Sequence, residues 1–182
     1  MSSGSAGMAT KQLLQDFQSR LAERLQSARS AGVTAGWLAV EVSGSRLLFP
    51  LTHAGEIFSW AQVQSVPYAH DWFLGMANLR GGLCGIVDLA SFMAGGERSR
   101  PEASLSQGRL VALNPVLEVN CALLVDRLLG LRTTDAFVAS DPPSTDAPPY
   151  FSHVFLDHEG GRWQEINLQA LSQNPAFLSI GA

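Results

Sequence analysis

Lysine is almost missing from this chain. Lys11 is the only one, and Lys and Arg together number 12 against 16 acidic residues, a net charge of −4. The basic residues are scattered, so no basic patch is available to grip a phosphate backbone, which argues against nucleic acid as a partner. Charged residues of both signs make up only 15% of the sequence. That is little for a lone soluble domain, and it implies surface that partners cover. Cysteine is scarce too. Cys84 and Cys121 each lie in an apolar, strand-like run, which excludes a disulfide framework and reads as small buried thiols in a reducing compartment. No apolar run approaches the roughly 20 residues needed to cross a bilayer. Residues 1–7 have neither the charged start nor the apolar core of a signal peptide, and residues 1–9 read as a flexible leader or an expression scar. The expectation is a cytoplasmic protein with no direct membrane insertion.

Recognisable catalytic apparatus is lacking as well. His53, His70, His153 and His158 fall in no His-x3-His, Cys-x2-Cys or His-Glu-x2-His spacing, so no metal site is expected. The glycine-rich stretch from Gly75 to Gly85 has neither a phosphate-loop Gly-Lys-Ser/Thr nor a dinucleotide Gly-x-Gly-x2-Gly pattern. No cofactor is expected, and no residue is assigned a catalytic role. Asp88 and Asp126 read as caps or turn formers.

What the chain does have is many short apolar runs separated by turn residues. Residues 11–28 carry Leu14, Phe17, Leu21 and Leu25 at helical spacing, with Thr10 placed to cap the helix and Gly32 to end it. This stripe packs either on the rest of the chain or on a partner. Strands are expected at 37–42, 46–51, 56–60, 109–113, 151–156 and 162–166. Residues 120–131 form one long apolar run, and the connector 97–107 and the proline-rich 141–149 are polar and exposed. A helix is expected at 168–172. The central stretch from Trp72 to Leu89 reads as a strand that bends sharply at Arg80-Gly81-Gly82 and continues as a second strand, Leu83 to Val87, after which Asp88 opens a helical turn from Leu89 to Met93 closed by Gly95 and Gly96. Interior glycine such as Gly75 and Gly81 marks a bulge, a bend or a close backbone approach. Arg80 either braces that bend or contacts an anion or partner. Trp37, Trp60, Trp72, Trp163, Phe49, Phe58 and Phe73 fill a core, with some left for a partner-facing groove. Short strands and little helix give an all-β fold with terminal helices.

Phe73-Leu74-Gly75-Met76-Ala77-Asn78-Leu79-Arg80-Gly81, followed by Ile86-Val87-Asp88-Leu89, resembles the signature of the CheW family of chemotaxis coupling proteins. Leu123 to Leu128 is similar to that family's later strand, and Glu56-Ile57 to the Glu-Ile pair of its third strand. The N-terminal helix and the end of the chain resemble the family's PilI-type members, which serve type IV pilus twitching. The sequence departs from the pattern at Ala122, His153 and Asn167.

The resemblance implies a CheW-like domain over residues 36–182, built as two five-stranded SH3-like β-barrels packed side by side, with a helical extension over 10–35. It implies a non-enzymatic adaptor. Its partners are a chemoreceptor cytoplasmic tip, bound along the groove between barrels, and the regulatory domain of a CheA-like histidine kinase, bound at barrel ends. Leu51, Glu56, Ile57, Arg80, Val87 and Val125 are the partner-binding candidates, and Gly75, Gly81 and Asp88 shape the bend. The alternatives from the residues themselves are an oligonucleotide-binding small barrel and an enzyme with its site at the glycine-rich bend.

Overall fold

The computed structural model describes residues 10–22, 36–96 and 100–182. The chain divides into a unit over residues 1–34 and a unit over residues 35–182. In the first, residues 10–22 form helix α1 with Thr10 already inside it; Ala28 and Gly32, the expected end of this helix, lie outside the described residues.

The second unit is almost entirely β. Its strands are β1 (Trp37–Val42), β2 (Ser45–Pro50), β3 (Ala54–Ser59), β4 (Phe73–Leu79), β5 (Gly82–Asp88), β6 (Arg109–Leu113), β7 (Cys121–Val125), β8 (Arg127–Arg132), β9 (Phe137–Asp141), β10 (Phe151–Asp157) and β11 (Arg162–Ile166). The helices are short: α2 (Leu89–Met93), α3 (Glu102–Leu105), α4 (Leu168–Gln173) and α5 (Pro175–Leu178). The strands form two sheets, one in the order β3-β6-β7-β5-β4 and one in the order β8-β1-β2-β11-β10-β9. These are the two SH3-like barrels, and the second carries six strands rather than five.

The five-stranded barrel closes where the segment after β3 returns to β4. Gln64 and Met76 exchange both backbone hydrogen bonds, at 2.8 and 2.9 Å, joining the ends of the sheet. Ala77, Cys84, Ile86, Leu110, Ala122 and Leu124 fill the interior. In the six-stranded barrel Trp37, Ala39, Leu48 and Trp163 form the core, with Leu129, Phe137 and Phe155 packed against it. Trp72, Phe92, Tyr150 and Phe177 make a further cluster, with Trp72 and Phe92 centred 5.0 Å apart edge to face. Tyr150 precedes β10 of one sheet and Trp72 precedes β4 of the other, so aromatic packing ties the barrels together.

The apolar run 120–131 is not one strand. It breaks at Asp126 into β7 and β8, which belong to different sheets. At the break the Asp126 amide donates to the Glu41 carbonyl at 2.9 Å and its carboxylate accepts from the Ser43 amide at 2.6 Å. Those bonds turn the chain out of one ladder and into the next. The sequence pattern gives no sign of strand β9. Its residues are mostly exposed, so no inward-facing apolar alternation marks it. Helix α5 falls where the sequence shows only an apolar tail; Asn174 caps it by accepting from the amides of Ala176 and Phe177.

Candidate partner-binding site

The central stretch is a hairpin: the expected bend is a tight turn, and the second strand, expected over 83–87, runs from Gly82 to Asp88. β4 and β5 pair antiparallel with Leu79 opposite Gly82, leaving Arg80 and Gly81 as a two-residue turn. Both have positive φ, 52° and 77°, the signature of the type I′ turn whose twist suits a hairpin. The Asn78 carboxamide accepts from the Gly81 amide at 2.9 Å and fixes the turn. Gly75 meets a different need. Its φ is 137°, and a Cβ there would sit 2.1 Å from the Gln64 carbonyl oxygen. Only glycine admits the strand that closes the barrel.

The turn projects Arg80 into solvent. Its Nη1 pairs with Glu56 Oε1 at 2.9 Å, with the two side chains 76% and 50% exposed. Glu56 lies in a bulge of β3, where the register against β6 shifts between Ala54 and Ile57. A Cβ on neighbouring Gly55 would meet the Ala112 carbonyl oxygen at 2.6 Å, so the bulge also depends on glycine. The pair therefore bridges the hairpin turn and the strand at the opposite edge of the sheet. It spans one end of the barrel without being buried by it.

That end is formed by the start of β3, the β4–β5 turn and the loop from β6 to β7. Leu51 is half-buried just before β3, and its amide donates to the Gly36 carbonyl at 3.1 Å. Ile57 is half-buried opposite Val111. Val87 and Val125 do not share this surface. They are 2% and 0% exposed and lie inside strands at the far side of the ladder, so they support the barrel and offer a partner no contact. Leu83 and Val116 are the apolar residues that stand exposed at the Arg80 end. The sequence does not reveal them, because a lone Leu or Val inside an apolar run carries no mark of which way it faces. The Asn120 carboxamide donates to the Leu83 carbonyl and holds the β6–β7 loop against the hairpin.

The opposite end of the same barrel is a closed ionic knot. Asp88 stands at the N-terminus of α2, yet its side chain makes no cap bond. Both oxygens accept instead from Arg100, which also donates to Asp126. Burial works against the Arg100 charge, but the hydrogen bonds to Asp88 and Asp126 outweigh it and hold its pKa above the ordinary value. The expected exposed connector thus carries an inward-facing residue. Cys84 and Cys121 are free and buried, and burial raises both thiols. Among the described residues no three His, Cys, Asp or Glu side chains gather as a metal site. Of the aromatics expected to fill a core, Trp37, Trp72, Trp163, Phe49 and Phe73 are buried, and Phe58 and Trp60 are half-buried.

The CheW-like domain family matches residues 36–176 of the chain. Over 175 residues the chain is 30% identical to Protein PilI of Pseudomonas aeruginosa, covering 93% of this chain and 94% of that protein. Its fold is similar to that of the scaffolding protein TtCheW from Thermoanaerobacter tengcongensis, with a TM-score of 0.57 at 14% identity over 72% of this chain and 88% of that one.

Proposed function

The chain belongs to the CheW-like family, and from that premise we propose that it is a non-enzymatic adaptor. It couples the cytoplasmic tip of a methyl-accepting chemoreceptor to the regulatory domain of a CheA-like histidine kinase, in control of type IV pilus twitching. The extent of the similarity to PilI supports the pathway. We assign residues 36–182 as the coupling domain and residues 10–35 as an N-terminal extension, helical over 10–22. The protein works in the cytoplasm at receptor arrays; among the described residues no helix is long and apolar enough to cross a membrane.

The observation that carries the reading is the exposed Arg80–Glu56 pair on its constrained turn. An exposed ion pair contributes little to folding, whereas a type I′ turn with arginine at positive φ costs conformational energy. Such geometry supports recognition better than stability. With Leu83 and Val116 beside it, the barrel end offers a few apolar anchors and a placed charge pair, which suits a transient interface. We assign the kinase to this end, through Arg80, Glu56, Ile57 and Leu51, and the receptor helices to the groove between barrels. The test is calorimetric titration of the purified chain with the kinase regulatory domain and the receptor tip separately. Saturable binding to each is expected. Folded protein that binds neither would overturn the adaptor reading.

A further inference from the structure

A cleft of about 380 Å³ opens on the six-stranded barrel, away from the Arg80 surface. Its size falls within the range of small-ligand sites. Trp163 forms the floor, with Leu129 and Phe137 on the wall, and Arg46, Arg127 and Arg132 reach into it. Two of those cations are already matched. Arg127 pairs with Glu41 at 3.0 Å and Arg46 with Asp157 at 3.7 Å. Asp157 is further occupied by the indole N–H of Trp163 at 2.9 Å and by the amides of Glu159 and Gly161 at 2.9 and 2.7 Å.

Arg132 differs. Its Nη1 donates to the Leu131 carbonyl at 3.0 Å, and its guanidinium, like that of Arg46, lies 5.2 Å from the Trp163 ring centroid. No carboxylate among the described residues forms an ion pair with it. A Cβ on Gly130 would fall 3.4 Å from Nη1, an ordinary van der Waals contact, so the guanidinium lies close over the strand. The result is a half-buried, stacked and pre-oriented fork, a geometry that favours bidentate capture of a carboxylate. Glu159 also lines the cleft but stands exposed, where water and salt screen it.

We propose that this cleft binds a small organic carboxylate, with the carboxylate on Arg132 and the apolar body against Phe137 and Leu129. The site is separate from the proposed kinase surface and gives the adaptor an input of its own. Benzoate and its uncharged analogue benzamide are the probes, and the indole N–H resonance of Trp163 is the reporter. Titration of the full chain with benzoate should shift that resonance saturably, with a dissociation constant of about 1 mM, the affinity expected of one charged fork plus modest apolar contact. Benzamide should leave it unmoved. R132Q should weaken benzoate at least about tenfold and R132K several-fold, since lysine keeps the charge but not the fork. No saturable shift with benzoate, an equal shift with benzamide, or full binding in a folded R132Q would overturn the proposal. None of these measurements involves kinase or receptor, so their failure and that of the adaptor reading are distinguishable.

Discussion

Asp88 receives hydrogen bonds at both carboxylate oxygens from one residue, Arg100, whose Nε reaches Oδ2 at 3.0 Å. The Asp88 side chain is only 2% exposed, and Arg100 also holds Asp126 at the point where the chain crosses between sheets. Removing the guanidinium leaves a buried carboxylate unpaired, which costs about 3–5 kcal/mol. Arg100→Met should therefore lower the unfolding free energy by that order in a urea titration. D88N added to Arg100→Met should recover part of the loss, because the uncompensated charge is then gone. An Arg100→Met variant as stable as the parent would show that the knot is not structural.

The Arg80–Glu56 pair should behave in the opposite way. It is exposed and bridges two elements already held by backbone ladders, so Arg80→Ala should change stability by less than about 1 kcal/mol. Binding to the kinase regulatory domain should fall at least about tenfold, as for loss of a well-placed interface arginine. The swapped variant E56R/R80E should regain the ion pair without regaining the partner. Unfolding of Arg80→Ala would make the residue a brace, and unchanged kinase affinity would remove it from the interface.

These two arginines show what can and cannot be read from the sequence. Arg80 is legible because Asn78, Gly81 and Gly82 spell out the turn that displays it. Arg100 is not, since its connector is polar and its partners lie 12 and 26 residues away. Strands whose faces alternate or whose apolar runs end in turn residues, such as β1 and β11, match their observed limits. The 120–131 run reads as continuous because an Asp inside apolar sequence says nothing about which ladder follows it. Resemblance alone puts Val87 and Val125 at the surface, whereas their uniformly apolar strands already fit a two-sided core.

The two glycines of the hairpin region should differ sharply in tolerance. Gly81 has positive φ, but a methyl group added there would meet nothing within 4 Å. Gly81→Ala should therefore cost about 1–2 kcal/mol, the strain of a left-handed residue. At Gly75 the same strain is joined by a backbone clash with Gln64. Gly75→Ala should cost well beyond that range and open the barrel seam, exposing the Gln64 and Met76 amides to hydrogen exchange. Equal melting temperatures for the two variants would contradict the close approach.

Asp157 offers a pH test of the six-stranded barrel. The Trp163 indole N–H and the Gly161 amide, with Glu159 and Arg46 adding to them, hold its carboxyl below the ordinary range. A group whose folded pKa is depressed stabilises the fold above its unfolded value, about 3.9 for aspartate, and loses that contribution as pH falls through the lower folded value. The Trp163 indole N–H resonance should accordingly stay constant from neutral pH down to about 4 and move only below it. D157N should abolish that step while leaving the low-pH behaviour of α4 and α5, which do not touch this carboxylate, as in the parent. A midpoint at or above the unfolded value would mean that the indole does not hold the charged form, and the floor of the cleft would lose its anchor.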